Sequence, residues 1–161
     1  MSGLSVQAPR AVVLIRPHRF RPNPHTRDDN AFQADDRRRT PEQIAAAAYA
    51  ETSCLADRLT RAGVRVHLFE DETASAPDSV FPNNWFSTHS GGRVAVYPMY
   101  SPSRQRERRS DILEMLKAEY RVQEVIDYSG LERDRIYLEG TGAMVVDHID
   151  RVVYAARSNR T

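Results

Sequence analysis

Residues 138–161 read LEGTGAMVVDHIDRVVYAARSNRT. A carboxylate, Glu139, precedes a Gly-Thr-Gly turn, and two apolar runs follow, joined by the polar link Asp147-His148-Ile149-Asp150. Two short apolar runs around a polar link predict a β-hairpin. The same layout occurs once before, at residues 83–100, NNWFSTHSGGRVAVYPMY, with Ser90-Gly91-Gly92 as the link. Arg93-Val94 and Arg151-Val152 sit at matching points about 60 residues apart, a period expected of repeated supersecondary units. After the first hairpin the pattern continues with a helix and a strand; after the second the sequence stops. The expectation is an α/β chain whose residues 1–161 form an incomplete domain, or one completed by another polypeptide.

Composition narrows the class. In 161 residues, 40% are apolar and 28% charged, enough for a core and a solvated surface. A net charge of +1 gives no drive toward nucleic acid or acidic lipid. No apolar run approaches a membrane span, and MSGLSVQAPR lacks the apolar centre of a signal peptide, so a soluble, cytoplasmic protein is expected. One cysteine excludes an internal disulfide framework and a cysteine-based zinc cage.

In chain order, Ala11–Pro17 reads as a buried strand stopped by proline. Residues 18–39 are loop-like. Thr40-Pro41-Glu42-Gln43 is a helix start with a capping box, and the helix should carry Ile44, Ala48, Leu55 and Leu59 on one face and end at Gly63. VRVHLFE, residues 64–70, alternates as a strand. The first hairpin spans about residues 84–99. Ser101-Pro102 opens a single amphipathic helix through Ile112, Met115 and Leu116, and VQEVIDY resumes a strand. Read as units, this is the end of one ββαβ module, one complete module and the first half of a third. Such modules bury their sheet faces by stacking.

Glu139, beside glycines that let a ligand approach the backbone, suits a cationic or amide-like substrate. Asn83 and Asn84 both donate and accept, which suits a neutral polar ligand; an Asn-rich turn beside a core Trp85 is the plainer reading. His18, His25, His67, His89 and His148 lack metal-ligand spacing, so no metal is expected. Cys54 lies mid-helix beside the apolar face, where a free cysteine acts as a small hydrophobe, with no signal of a lowered pKa. Arg37-Arg38-Arg39 and Arg104–Arg109 (RQRERR) are read as solvated faces, not a phosphate track.

Several segments together, VFPNNWFSTH, LEGTGAMVVD, YAARSNRT, IRPHRF and HTRDDNAFQ, resemble the guanidine- and ureido-modifying pentein superfamily. This superfamily includes arginine deiminases, dimethylarginine hydrolases and amidinotransferases. The chain looks most similar to the bacterial amidinotransferase-like group linked to citrulline utilisation. The resemblance implies a five-bladed α/β propeller of ββαβ units, of which about half is present. It implies a hydrolase of C–N bonds in guanidino or ureido amino acids, working through a covalent Cys thiol and a His acid/base, without cofactor.

By resemblance, Glu139 matches a supporting catalytic carboxylate, Asn84 a substrate-binding position commonly Asp, and Arg160 an arginine that holds the substrate's carboxylate. The resemblance places the family's His and Cys beyond the S-x-R-T segment, so neither is assigned here and the chain alone is expected to be inactive. Asn84 in place of Asp favours neutral citrulline over cationic arginine. The implied partner is a small amino-acid substrate, not nucleic acid or membrane. The alternative is a non-catalytic interaction module that pairs with another chain, or with itself, through open sheet edges.

Overall fold

The computed structural model describes residues 8–27, 33 and 38–161. Most of HTRDDNAFQ and Arg37 therefore lie outside the described residues. Two compact units are present, Pro9–Pro82 and Asn83–Thr161.

In the first unit, β1 (Ala11–Pro17) and β2 (Arg65–Asp71) pair in parallel, from Ala11 opposite Arg65 to Pro17 opposite Asp71. The crossover is α1 (Pro41–Arg61). Its start follows the expected capping box: Gln43 N–H donates to Thr40 Oγ1 at 3.3 Å, and Thr40 N–H donates to Gln43 Oε1 at 2.9 Å. Its buried stripe runs through Thr52 and Ala56, with Ile44, Ala48 and Leu59 half-buried. Leu55 departs from the expectation and is 47% exposed. It lies ~100° around the helix from Ala56, off the stripe. Cys54 is likewise exposed rather than packed as a small hydrophobe.

One hydrogen bond links the loops that follow the two strands, and another ties the second loop back to the end of β2. Asn23 Nδ2 donates to Asp78 at 2.7 Å, and Ser79 Oγ donates to Asp71 at 2.5 Å. Loops packed this closely keep their polar groups paired because water is not there to do so.

The second unit contains a complete ββαβ module. β3 (Phe86–His89) and β4 (Arg93–Val96) form the expected hairpin, with Phe86 opposite Val96 and His89 opposite Arg93. β5 (Glu124–Asp127) then lies parallel to β4. The crossover between them is two helices, not the single one expected: α2 (Pro102–Gln105) and α3 (Ser110–Tyr120). The break coincides with charged side chains drawn inward, as described below. A one-turn helix, α4 (Gly140–Ala143), leads into the second hairpin, β6 (Met144–Asp147) and β7 (Val152–Ala155).

The two hairpins are not strict copies. β4 begins at Arg93, but Arg151 falls in the turn at φ +58°, because the second link is one residue longer. Asp147 Oδ1 stabilises that link by accepting from the N–H groups of Ile149 and Asp150 at 2.9 Å each.

The core of this unit centres on Trp85, Val94, Met99 and Ile112. Ala95, Tyr97 and Met144 pack together, with Leu138 and Val146 against them, so one face of β6 is covered. The other face is open, with Val145 65% and Tyr154 61% exposed.

Gly91 and Gly92 both have left-handed backbones, at φ +81° and +71°. A Cβ on Gly91 would meet only Arg93 Nη1 at 4.0 Å, whereas one on Gly92 would lie 2.7 Å from the Arg121 carbonyl oxygen. Gly91→Ala should therefore cost about 1–2 kcal/mol, the penalty of the left-handed conformation. Gly92→Ala should cost clearly more, because backbone must move as well. Urea denaturation of the two variants side by side checks the order.

Candidate functional site

The loop leaving β4, residues 97–100, runs through the interior without strand partners. Pairing for its backbone comes from elsewhere. Tyr97 N–H donates to the Trp85 carbonyl at 2.9 Å, and Pro98 O accepts from Leu138 N–H at 3.2 Å. Met99 N–H donates to Glu132 Oε1 at 2.7 Å, Tyr100 N–H donates to Glu139 Oε1 at 3.0 Å, and Met99 O accepts from Gln105 Nε2 at 3.0 Å. Two glutamates thus replace a neighbouring strand.

Each of these glutamates is held by an arginine from the RQRERR run. Arg108 grips Glu132 with both terminal nitrogens, at 2.6 and 2.9 Å. Arg104 Nη1 donates to Glu139 Oε2 at 3.2 Å, while its Nε and Nη2 donate to the two oxygens of Glu107 at 3.3 Å each. Arg104 is 2% exposed, and the side chains of Glu107 and Glu139 are buried to the same degree. This corrects the expectation of a solvated face at Arg104 and Glu107. A guanidinium is stable in the interior only where carboxylates neutralise it, and here two do. Arg106 is exposed, and so are Arg38 and Arg39, in line with the reading of those positions.

Glu139 sits at the N-terminal boundary of α4, but its side chain does not cap the helix. Arg160 approaches the same carboxylate, with Nε 3.6 Å from Oε2, and its carbonyl accepts from Glu139 N–H at 3.0 Å. The Ser158–Thr161 turn presents Arg160, since Arg160 N–H donates to Ser158 Oγ at 3.2 Å. The structure therefore brings Glu139 and Arg160 into direct contact.

Asn84, also buried, ends the 3-10 turn Pro82–Asn84 and joins the group through the Gly-Thr-Gly turn. A Cβ on Gly142 would overlap the Asn84 side-chain amide, and one on Gly140 would overlap the Asn83 carbonyl oxygen. Asn83 Nδ2 also donates to Thr141 Oγ1 at 2.8 Å. Neither glycine has a positive φ. Their missing side chains admit the Asn83-Asn84 turn, where a ligand's approach to the backbone was expected. Arg104 and Glu107 went unrecognised in the sequence, although their i, i+3 spacing is that of neighbours on a helical turn.

A second polar group lies on the sheet face near β6. Ser87 Oγ is 2.7 Å from His89 Nε2 and 2.6 Å from Tyr97 Oη, and the His89 ring is 5.6 Å from that of His148. Burial, and then the neighbouring His148, push the His89 pKa down; burial pushes Tyr97 up. Among the described residues no group of three or more His, Cys, Asp or Glu could hold a metal ion. Nor, among them, is any helix long and apolar enough to cross a membrane.

Two outcomes are expected. Gly140→Ala should destabilise more than Gly142→Ala, because the first meets backbone and the second a side chain that can rotate; calorimetric melting of both variants checks this. For His89, the folded pKa lies below the ordinary value of about 6.5, so the unfolded chain binds the proton more readily. Stability should fall as pH drops through about 6.5 toward the lower folded value. Melting curves between neutral and mildly acid pH should show a smaller drop for His89→Gln than for the parent.

Comparison with known proteins bears on the fold and the family. The chain is similar to a dimethylarginine dimethylaminohydrolase solved as an adduct with S-methyl-L-thiocitrulline, with 19% identity and TM-score 0.62, over 94% of this chain and 51% of that one. It is similar to a mutant of the Pseudomonas aeruginosa dimethylarginine hydrolase complexed with citrulline, with 19% identity and TM-score 0.57, over 92% of this chain and 51% of that one. It is also similar to the N-terminal domain of ArgZ covalently bound to a reaction intermediate, with 19% identity and TM-score 0.55, over 90% and 47%. The chain thus spans about half the length of these proteins. None of the curated proteins matches it. Likeness at this identity shows the fold, that of part of a pentein α/β propeller. The family model described as N,N dimethylarginine dimethylhydrolase, eukaryotic, matches residues 16–161, and the chain belongs to that family within the pentein superfamily.

Proposed function

We propose that this chain carries part of the substrate-binding wall of a hydrolase that cleaves a C–N bond in a ureido or guanidino amino acid. The observation that supports this most is the gathering of Asn84, Glu139 and Arg160, from three separated segments, around one Gly-Thr-Gly turn. Arg160 would hold the α-carboxylate, for which a guanidinium is a natural two-point partner. Glu139 would serve as the supporting carboxylate beside the reacting nitrogens. Asn84 would face the ureido or guanidinium group.

An amide at position 84 offers a donor and an acceptor but no charge, so it serves a neutral ureido oxygen and nitrogen without counterbalancing a cation. Citrulline is therefore favoured over arginine. The reaction would pass through a covalent thiol intermediate without cofactor. Cys54 is exposed on α1 in the other unit and is not assigned the role. The 161-residue chain by itself would then be inactive.

A second reading, a non-catalytic module that pairs with another chain or with a second copy, draws support from the outer face of β6–β7, where Val145, Val153 and Tyr154 are exposed. Sedimentation separates the two, since such a module should associate at micromolar concentration.

Ammonia release from citrulline and from arginine, with an iodoacetamide-treated control, tests the main reading. The isolated chain should release none. A longer chain that carries the family's Cys and His should turn over citrulline faster than arginine, and Asn84→Asp should shift that preference toward arginine. Release by the isolated chain that alkylation abolishes would make Cys54 the thiol and sink this assignment. A longer chain that prefers arginine would sink the ureido reading.

A further inference from the structure

Tyr97 reaches from a titratable group to the Gly-Thr-Gly turn. At one end its Oη lies 2.6 Å from Ser87 Oγ, which is itself 2.7 Å from His89 Nε2. At the other end its ring edge packs on the turn, since a Cβ on Gly140 would stand 3.1 Å from Tyr97 Cδ2. Tyr97 is 6% exposed and clusters with Ala95 and Met144, with Leu138 and Val146 against them. Leu138 precedes Glu139 and Gly140 follows it, so this cluster meets the chain on both sides of that carboxylate.

Hydroxyl acidity sets the direction of the hydrogen-bond chain. A phenol is the more acidic hydroxyl and its oxygen the poorer acceptor, so Tyr97 O–H donates to Ser87 Oγ. Ser87 then gives its one hydrogen to His89 Nε2, which makes neutral His89 the Nδ1–H tautomer. A proton taken up by His89 goes to Nε2 and reverses both bonds: Nε2–H donates to Ser87 Oγ, and Ser87 O–H donates to Tyr97 Oη. The Tyr97 hydrogen is then left over, because among the described residues Ser87 is the group that bonds Tyr97 Oη. A buried hydroxyl in that state is costly until it reaches water, and for Tyr97 that requires the ring to shift against Gly140.

Arg93 lies opposite His89 across the β3–β4 ladder and is itself paired with Glu124 of β5. The His148 ring of the second hairpin link is 5.6 Å from that of His89, and Tyr128 lies near Tyr97. Burial and His148 both work against charge on His89, so the reversal belongs to pH values below about 6.5. We propose that His89, Ser87 and Tyr97 form a proton-operated switch that couples mild acidification to the position of the Gly-Thr-Gly turn beside Glu139. That this turn borders a substrate site rests on the reading given above. The coupling does not, and its test uses no substrate.

The test follows the full 161-residue chain by NMR from neutral to mildly acid pH. Imidazole nitrogen and carbon shifts should show neutral His89 as the Nδ1–H tautomer, and the Gly140 amide should shift with the His89 midpoint. In His89→Gln that step should vanish. In Tyr97→Phe, His89 should still titrate while the Gly140 step at its midpoint is lost, because the ring keeps its place and has no hydrogen to strand. Should Tyr97→Phe fail to fold, Ser87→Ala cuts the chain in the middle and should give the same loss. His148→Gln removes the neighbouring imidazole, and the His89 and Gly140 midpoints should rise together, which separates the switch from a direct effect of charge on His148. An Nε2–H tautomer in neutral His89, or a Gly140 amide that ignores the His89 midpoint in the parent, overturns the proposal. So does a Gly140 step that survives Tyr97→Phe or Ser87→Ala, or one that parts from the His89 midpoint in His148→Gln.

Discussion

A carboxylate buried next to main-chain N–H groups must be answered by positive charge, and in this chain Glu139 is that carboxylate. It lies just before α4, accepts from Tyr100 N–H and Arg104 Nη1, and has Arg160 Nε 3.6 Å away as a second cation. Removal of one partner from such a buried set costs about 3–5 kcal/mol, because it strands the charges that remain. The local architecture of residues 97–108 and 138–142 therefore depends on a charge balance and not on apolar packing alone.

The same constraint explains how the chain leaves the sheet after β4 yet stays buried. Interior backbone without strand partners would ordinarily leave several polar groups unpaired, each at a cost of about 1–3 kcal/mol. Glu132 and Glu139 take the N–H groups of Met99 and Tyr100, and Arg108 and Arg104 neutralise them from the turn just downstream. The split of the crossover helix into α2 and α3 follows this arrangement: residues 106–109 turn between the two helices, where Glu107 and Arg108 meet their partners.

Local chemistry made much of the fold legible beforehand. The Thr40–Gln43 capping box, the strands before and after α1, and both hairpins follow from patterns a few residues long, whereas the parallel pairing of β1 with β2 was not read from them. What could not be read locally was the fate of Arg104. Its burial is decided by Glu139, which is 35 residues away in sequence, and a run of arginines and glutamates looks the same whether solvated or internally paired. Leu55 failed in the reverse sense: an apolar residue beside the stripe was counted as part of it, while Thr52 could enter the stripe because its hydroxyl donates to the Ala48 carbonyl at 2.9 Å. Glu139 and Asn84 could be singled out from their own chemistry and neighbours, but Arg160, and the grouping of the three, came only through family resemblance, since neither spacing nor composition joins positions so far apart.

The charge balance around Glu139 also bears on what the proposed site would accept. Arg104 is already paired with Glu107 and Glu139, Arg160 lies against Glu139, and Asn84 adds no charge. A ligand carboxylate arriving at Arg160 would draw that arginine away from Glu139 and leave the latter with Arg104 and Tyr100. A cationic side chain on the same ligand would then find one carboxylate already engaged and an amide where a second carboxylate would have helped. A neutral ureido group meets no such deficit, because its polar atoms need donors and acceptors rather than a counter-ion. On the proposed reading, selectivity for an uncharged side chain would thus follow from how the buried arginines and glutamates are already paired, with Asn84 as its local expression.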